Sequence, residues 1–326
     1  MKTVVVTGCA GFIGWKVSQK LMEIGIHVVG IDNMNDYYDP RLKEWRLGLL
    51  LGSESFRFYK VDIAVFDTLR SIFKGHKVDA VINLAARAGV RASVEDPWAY
   101  LDTNVKGTLN LLECCKESGV EKFVLASTSS IYGHNRMPFR EDDRTDNPLA
   151  PYSATKKAAE VLCYSYHYLH GIDISIPRYF TVYGPAGRPD MSIFRFIRNI
   201  DDGIPIPVFG DGRQKRDFTY IDDIADGTIR CLKPVGYEIF NLGSDNSVEL
   251  LYVINLIEEF LGKKADIEWL PMHPADVTAT WAYIEKSRSR LGWSPTIAIK
   301  KGIESTVRWY MDNRDFVRTI KVSSAV

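Results

Sequence analysis

The amino-terminal stretch constrains this chain more than any other. Residues 3–7 are a β-branched apolar run, and Gly8-Cys-Ala-Gly11-Phe12-Ile13-Gly14 follows at once. Ile13, Val17, Leu21 and Ile24 then recur at helical spacing. The order predicts strand, glycine turn, helix. Such glycines let the backbone approach a pyrophosphate and let the helix pack on the strand. The helix N-terminus adds unpaired N–H groups and positive potential. The spacing is G-x-x-G-x-x-G rather than G-x-G-x-x-G. A second run, 27–31, ends at Asp32, roughly the twenty residues on at which a carboxylate accepts hydrogen bonds from an adenosine ribose. A carboxylate there repels a 2′-phosphate, and no basic residue follows immediately, so NAD(H) is expected over NADP(H).

Three more strand patterns follow: 56–61 ending at Asp62, 78–84 ending in Ala85-Ala86, and 122–126 ending in Ser127-Thr128-Ser129-Ser130. Helical patterns separate them. Continuous apolar strands alternating with helices predict an α/β fold with a doubly wound parallel sheet of the Rossmann type, whose ligand crevice lies at the carboxyl ends of its strands. Asp62, Ala85, Ala86 and Thr128 fall there. The alanines fit either close approach to a cofactor or tight strand-to-loop packing, and the hydroxyl run fits either a ligand site or a capped turn.

Residues 174–179 read as another strand, placed near an edge or bulge because Pro177 cannot donate to a ladder. Its end delivers Tyr179 and Thr181 toward the crevice. Beyond it Gly and Pro punctuate short elements, which predicts a second, smaller substrate lobe. The expected division is residues 1–179 and 180–326, with residues 237–242 returning to the main sheet. Arg188, Arg213 and Arg216 are surface charges or phosphate ligands. Ser247 precedes a helix with Leu250, Ile254, Ile257 and Leu261 inward, stopped by Gly262, and two more helices are expected at 285–291 and 299–310.

Between the halves lies Tyr152-Ser-Ala-Thr-Lys156, opening a helical segment. Residues four apart share a helix face. An ammonium near a phenol favours the phenolate, which would make Tyr152 a general base at neutral pH. Taken alone, the spacing is more often that of a helical pair without chemistry.

With 326 residues and 46% hydrophobic content, the chain can bury a large core. A formal net charge of zero gives no electrostatic case for nucleic acid or an anionic membrane, so an anionic ligand must be held by local groups. The five cysteines lack metal-ligand or redox-motif spacing and read as reduced thiols. No apolar run approaches a membrane span. A cytoplasmic protein is expected, with no bound metal, His167 and His170 serving packing.

Together these segments resemble the extended short-chain dehydrogenase/reductase family over essentially the whole chain. The carriers are Thr7-Gly8-x-x-Gly11-Phe12-Ile13-Gly14, Leu84-Ala85-Ala86, Ser127-Thr128-Ser129, Tyr152-x-x-x-Lys156 and the run 216–223, Arg-Asp-Phe-Thr-Tyr-Ile-Asp-Asp. Within that family, the stretch from Asp32 and Asn33 through Asp39, with Leu42, Lys43, Arg46 and Leu47, and the segment 187–191 are most similar to UDP-glucuronate 4-epimerases.

The resemblance implies a homodimer with tightly held NAD. Gly8, Gly11, Phe12, Ile13, Gly14, Asp32, Asn33, Asp62, Ile63, Leu84, Ala85, Ala86 and Tyr179 would line the cofactor, with Tyr152 and Lys156. Tyr152 would take the proton from the sugar 4-hydroxyl, Lys156 would lower its pKa and bind the nicotinamide ribose, and Thr128 would hydrogen-bond the same oxygen. Arg91 would contact the sugar, Phe209, Arg216 and Asp276 the UDP end, and Arg188 the pyrophosphate or the sugar acid. Ser129, Ser130 and Thr181 are expected to restrain the carboxylate.

Relatives acting on UDP-glucose commonly have Asn where Thr181 stands. Relatives that dehydrate or decarboxylate carry an acidic residue where this chain has Ser130. A UDP-glucose or UDP-N-acetylhexosamine 4-epimerase is the nearest alternative. A non-catalytic NAD-binding regulator is the alternative of another class.

Overall fold

The computed structural model describes residues 2–271 and 277–322. Asp276 lies outside them. An eight-stranded parallel sheet carries the site. Its members are β1 (Thr3–Thr7), β2 (His27–Asp32), β3 (Phe56–Lys60), β4 (Ala80–Asn83), β5 (Lys122–Leu125), the two-residue β6 (Ser127–Thr128) and β7 (Asp173–Tyr179). After β8 (Thr181–Tyr183), β9 (Ile206–Phe209) and β10 (Lys215–Tyr220), the chain returns to it with β11 (Tyr237–Leu242). The order across the sheet is β3-β2-β1-β4-β5-β7-β11, with β6 paired to β7.

Strand parity sorts the core into two layers. Val4 and Val6 pack with Trp15, Val17 and Leu21, whereas Val5 packs with Leu111, Leu112 and Cys115 on the other face. Burial on both faces is why these strands read as unbroken apolar runs. Each such side chain contributes about 2 kcal/mol relative to exposure. All five cysteines are buried and free.

Pro177 does not put its strand at an edge: β7 is interior, between β5 and β11. The sheet tolerates it through a break opposite. Lys122–Val124 pair with Asp173–Ser175, and pairing resumes only at Ser127 with Arg178. The proline ring has no N–H to give, so the neighbouring strand loses its ladder there and continues as β6, which carries Thr128.

The remaining strands form two small sheets. In the first, β10 lies between β8 and β12 (Ser247–Glu249), and in the second β9 pairs with β13 (Ile267–Leu270). A third core holds Ile193, Phe194 and Ile197, and the inner faces of helices Leu250–Leu261 and Ile299–Asp312. Gly262 ends the first of these helices in a left-handed conformation, φ 65°. A further helix, Arg314–Thr319, was not apparent in the sequence pattern.

Candidate active site

A cavity of about 420 Å³ opens along the carboxyl ends of the parallel strands, lined in one part by Gly8, Gly11 and Asp32 and in another by Thr128, Ser130 and Tyr152. At its first end the turn after β1 is fixed by two glycines. Gly8 has φ +68°, and a Cβ there would meet Ala85 N at 2.8 Å. A Cβ on Gly14 would fall 2.0 Å from Gly8 O, so the helix Phe12–Glu23 enters against the turn itself. The same contact explains Leu84-Ala85-Ala86: the two backbones touch where the crevice floor forms.

Asp32 accepts from Ala10 N (3.2 Å) and from Met34 N (2.8 Å). Asn33 Nδ2 donates to Asp62 Oδ2 at 2.8 Å. Phe12, Ile13, Asp32, Asn33, Asp62, Ile63 and Ala86 all line the cavity. Tyr179 does too, but its hydroxyl is taken by Thr228, 2.8 Å away in the core, so the phenol is not what it offers a ligand. A carboxylate facing a glycine turn and a helix N-terminus suits a ribose and pyrophosphate, and the donor set therefore fits a dinucleotide.

The sequence pattern held a basic residue that spacing from Asp32 did not reveal. Lys43, on helix Pro40–Gly48, lines the cavity and donates to Asn35 O at 2.9 Å. Burial lowers its pKa and the Asp32 carboxylate opposes that. From the same helix Arg46, fully buried, donates to Ala10 O, Tyr38 OH, Ala186 O and Gly187 O. It thereby ties the glycine turn to the loop carrying Arg188.

At the centre, the helix Pro151–His170 presents Tyr152 and Lys156 to the cavity, with Pro at its first position and Gly171 closing it. Lys156 is buried, and its Nζ donates to Ala126 O at 2.8 Å, in the gap between β5 and β6. Burial lowers its pKa to about 8, with Glu160 and Cys163 opposing. Tyr152 bonds the Thr128 hydroxyl. Burial raises its pKa, while Thr128 and then Arg188 pull it back. The expectation that Lys156 is what depresses the phenol is not what this state displays: its ammonium is spent on a backbone carbonyl. Asn104 joins the parts, pairing with Arg87 N and O and donating to Thr155 Oγ1 at 3.1 Å. Nothing in its local sequence marks it.

Toward the other end, Thr128 Oγ1 donates to Ser130 Oγ at 3.2 Å and accepts from Ser130 N. Ser129, Ser130 and Thr181 line the cavity beside them. Arg188 also lines it, but its fork is engaged by Asp190 at 2.5 Å and it lies over the Tyr37 and Tyr38 rings. Arg91 lies 4.2 Å over the Phe209 ring. Neither of these, nor Arg216, borders the cavity.

A family model described as the NAD dependent epimerase/dehydratase family matches residues 4–243. A UDP-glucuronate 4-epimerase of Thermodesulfobacterium geofontis is 57% identical over 319 residues, covering 98% of this chain and 99% of its own length. The crystal structure of UDP-glucuronic acid 4-epimerase from Bacillus cereus, in complex with UDP-glucuronic acid and NAD, superposes with a TM-score of 0.90 at 38% identity. The match covers 95% of this chain and 99% of that one. A UDP-glucose 4-epimerase of Thermotoga maritima with UDP-glucose gives 0.89 at 29% identity, covering 96% and 99%. The glycine turn, the Asp32 carboxylate beside it, the Tyr-Lys helix and the threonine are thus matched by kinship over the whole sheet, and this chain belongs to the NAD dependent epimerase/dehydratase family.

Proposed function

We propose that this protein is an NAD-dependent enzyme that interconverts UDP-glucuronate and UDP-galacturonate by inversion at C4, through a 4-keto sugar, and that it works as a homodimer. The observation that carries the reading is one cavity in which the Tyr152–Thr128 hydrogen bond stands between the Asp32 end and the hydroxyls of Ser129, Ser130 and Thr181. The relatives named above support the substrate.

The cofactor would be held by the Gly8–Gly14 turn, Asp32, Asn33, Asp62, Ile63, Leu84, Ala85, Ala86 and Lys156. Bound NAD supplies a hydride acceptor at the sugar C4 and the donor for its return. Tyr152 receives the proton of the 4-hydroxyl, and Thr128 holds that oxygen in line. Lys156, whose Nζ donates to Ala126 O, would hold a ribose hydroxyl of the cofactor, and its charge close to the phenol would favour the phenolate.

The 4-ketone beside a C5 carboxylate makes a β-keto acid, which loses carbon dioxide when the breaking bond stands perpendicular to the carbonyl. The enzyme must hold that bond near the carbonyl plane, then rebind the carboxylate after the sugar turns over. Ser129, Ser130 and Thr181 can exchange partners at modest cost, each bond to the charged group contributing roughly 1.5–3 kcal/mol. The Asp190 carboxylate occupying Arg188 favours neutral hydroxyls for this task. Arg91, Phe209 and Arg216 are assigned to the sugar and the UDP end.

A second copy would cover the apolar face formed by Leu101, Leu109, Val161, Tyr164, Tyr168 and Leu169, all exposed. Tyr166 on the same helix is not part of this face, since it is half-buried and its hydroxyl donates to Glu113. Among the described residues no helix is long and apolar enough to cross a membrane. Incubating the protein with UDP-glucuronate, UDP-glucose and UDP-N-acetylglucosamine, and resolving products by chromatography, tests the reading. Conversion of the neutral sugars alone overturns the substrate, no conversion of any points to the regulator, and light scattering decides the dimer.

A further inference from the structure

Behind the Tyr152–Lys156 pair lies a buried ion pair. Glu160 and Arg178 are each 1% exposed. Glu160 lies one helical turn beyond Lys156 on the same face. Its Oε1 accepts from Ser127 Oγ at 2.6 Å and from Arg178 Nε at 3.0 Å, and its Oε2 accepts from Arg178 Nη2 at 2.9 Å. Arg178 stands on β7, beside the break that Pro177 makes, and pairs in register with Ser127. Its Nη1 donates to Tyr132 OH and to Glu141 O, and Tyr132 OH donates to Asn241 Oδ1.

Two charges withdrawn from water in this way rarely add stability over a well-packed apolar pair. Stability therefore does not account for them. Position does. The carboxylate touches the residue preceding Thr128, and it is the leading group sustaining the ammonium that Ala126 O anchors.

We propose that Glu160 is a positioning residue for the epimerase chemistry: its buried carboxylate, oriented by the Arg178 fork, pins Ser127 so that Thr128 faces Tyr152, and keeps Lys156 charged. The proposal rests on the epimerase reading for its consequence, but its electrostatic half stands apart from turnover. The other ionisable groups around the pair are Cys163 on the same helix, whose thiol burial keeps neutral, Tyr132 and Tyr237, whose phenols burial also raises, and Glu141, whose carboxyl burial raises while Asn241 N and Arg178 oppose. Lys157 Nζ approaches Glu160 at 3.9 Å from the solvent side. Glu160 is thus the carboxylate that acts on Lys156.

The sign follows. A carboxylate beside an ammonium raises its pKa, so removing that charge lowers the pH at which Lys156 loses its proton. In the cofactor-free protein, carbon-13 NMR of labelled lysine should find Lys156 titrating near 8. In Glu160→Gln, which keeps the shape and an acceptor for Ser127, the titration should move down by about one pH unit. The alkaline limb of kcat, which belongs to the coupled Tyr152–Lys156 pair, should move the same way. Glu160→Gln/Arg178→Met leaves no unpaired buried charge and should show the same direction if the single variant fails to fold. Ser127→Ala removes the pin alone and should lower kcat about tenfold with the Lys156 titration unmoved. An unchanged Lys156 titration in the glutamine variants overturns the electrostatic half, and an unchanged kcat in Ser127→Ala overturns the pinning half. Loss of UDP-glucuronate turnover in the unmodified protein would instead overturn the epimerase reading, leaving the NMR result to stand.

Discussion

The two ends of the cavity are built from different material. At the Asp32 end the partners are backbone: Gly8 and Gly14 pack against main-chain atoms, and Asp32 accepts from Ala10 N and Met34 N. At the Thr128 end the charged side chain is already satisfied by another side chain, Arg188 by Asp190. The first end is a rigid mould, since its geometry follows from strand order and helix entry. The second must exchange internal partners for a ligand: Arg188 an ion pair with Asp190, and Ser130 a neutral hydroxyl bond from Thr128 that is more easily traded.

The largest expected effect falls between the two ends. Tyr152→Phe should lower kcat by about a thousandfold while NAD and UDP-sugar affinities change little, because it removes one oxygen needed for proton transfer and almost no packing. Lys156→Ala should harm both turnover and NAD binding. Turnover like that of the unmodified protein in the phenylalanine variant would move the base elsewhere and dissolve the division between the ends.

Next in size is the mould itself. Gly14→Ala should cost about 3 kcal/mol, because the new methyl meets a backbone oxygen that cannot swing aside. Thermal unfolding and NAD titration both read this. A variant as stable as its parent would show that the turn yields, and the Asp32 end would no longer deserve to be called rigid.

Cofactor choice sharpens the same point by a smaller amount. NAD should bind at least about tenfold more tightly than NADP, since a 2′-phosphate would face Asp32 at close range. Fluorescence titration of both measures it. Equal affinities would mean that Lys43 compensates the carboxylate, and Lys43→Ala should then restore the preference.

The smallest expected effect belongs to the adaptable end. Thr181→Ala or Ser130→Ala should slow epimerisation and raise the ratio of UDP-pentose to UDP-galacturonate several-fold, through loss of a hydroxyl on the carboxylate. A constant ratio with epimerisation intact would transfer the restraint to Arg188, and the sugar end would then resemble a fixed clamp.

What the sequence determined by itself was local or periodic. The strand–glycine–helix–Asp32 order, the carboxyl-end positions of Asp62, Ala85 and Thr128, and the helical spacing of Tyr152 and Lys156 each follow from residues near one another in the chain, where sterics and periodicity act directly. Even the irregularity at Pro177 was legible, although its place in the sheet was not, because strand order depends on which segments meet and not on any one of them. The tertiary structure alone decided where charges end up. It brought Lys43 to the Asp32 end, buried Arg46 between the glycine turn and Ala186, used Asn104 to join Arg87 to Thr155, and set Glu160 and Arg178 behind Lys156. A side chain's charge has no period along the chain, and its effect is fixed by burial and by partners that folding supplies from distant segments.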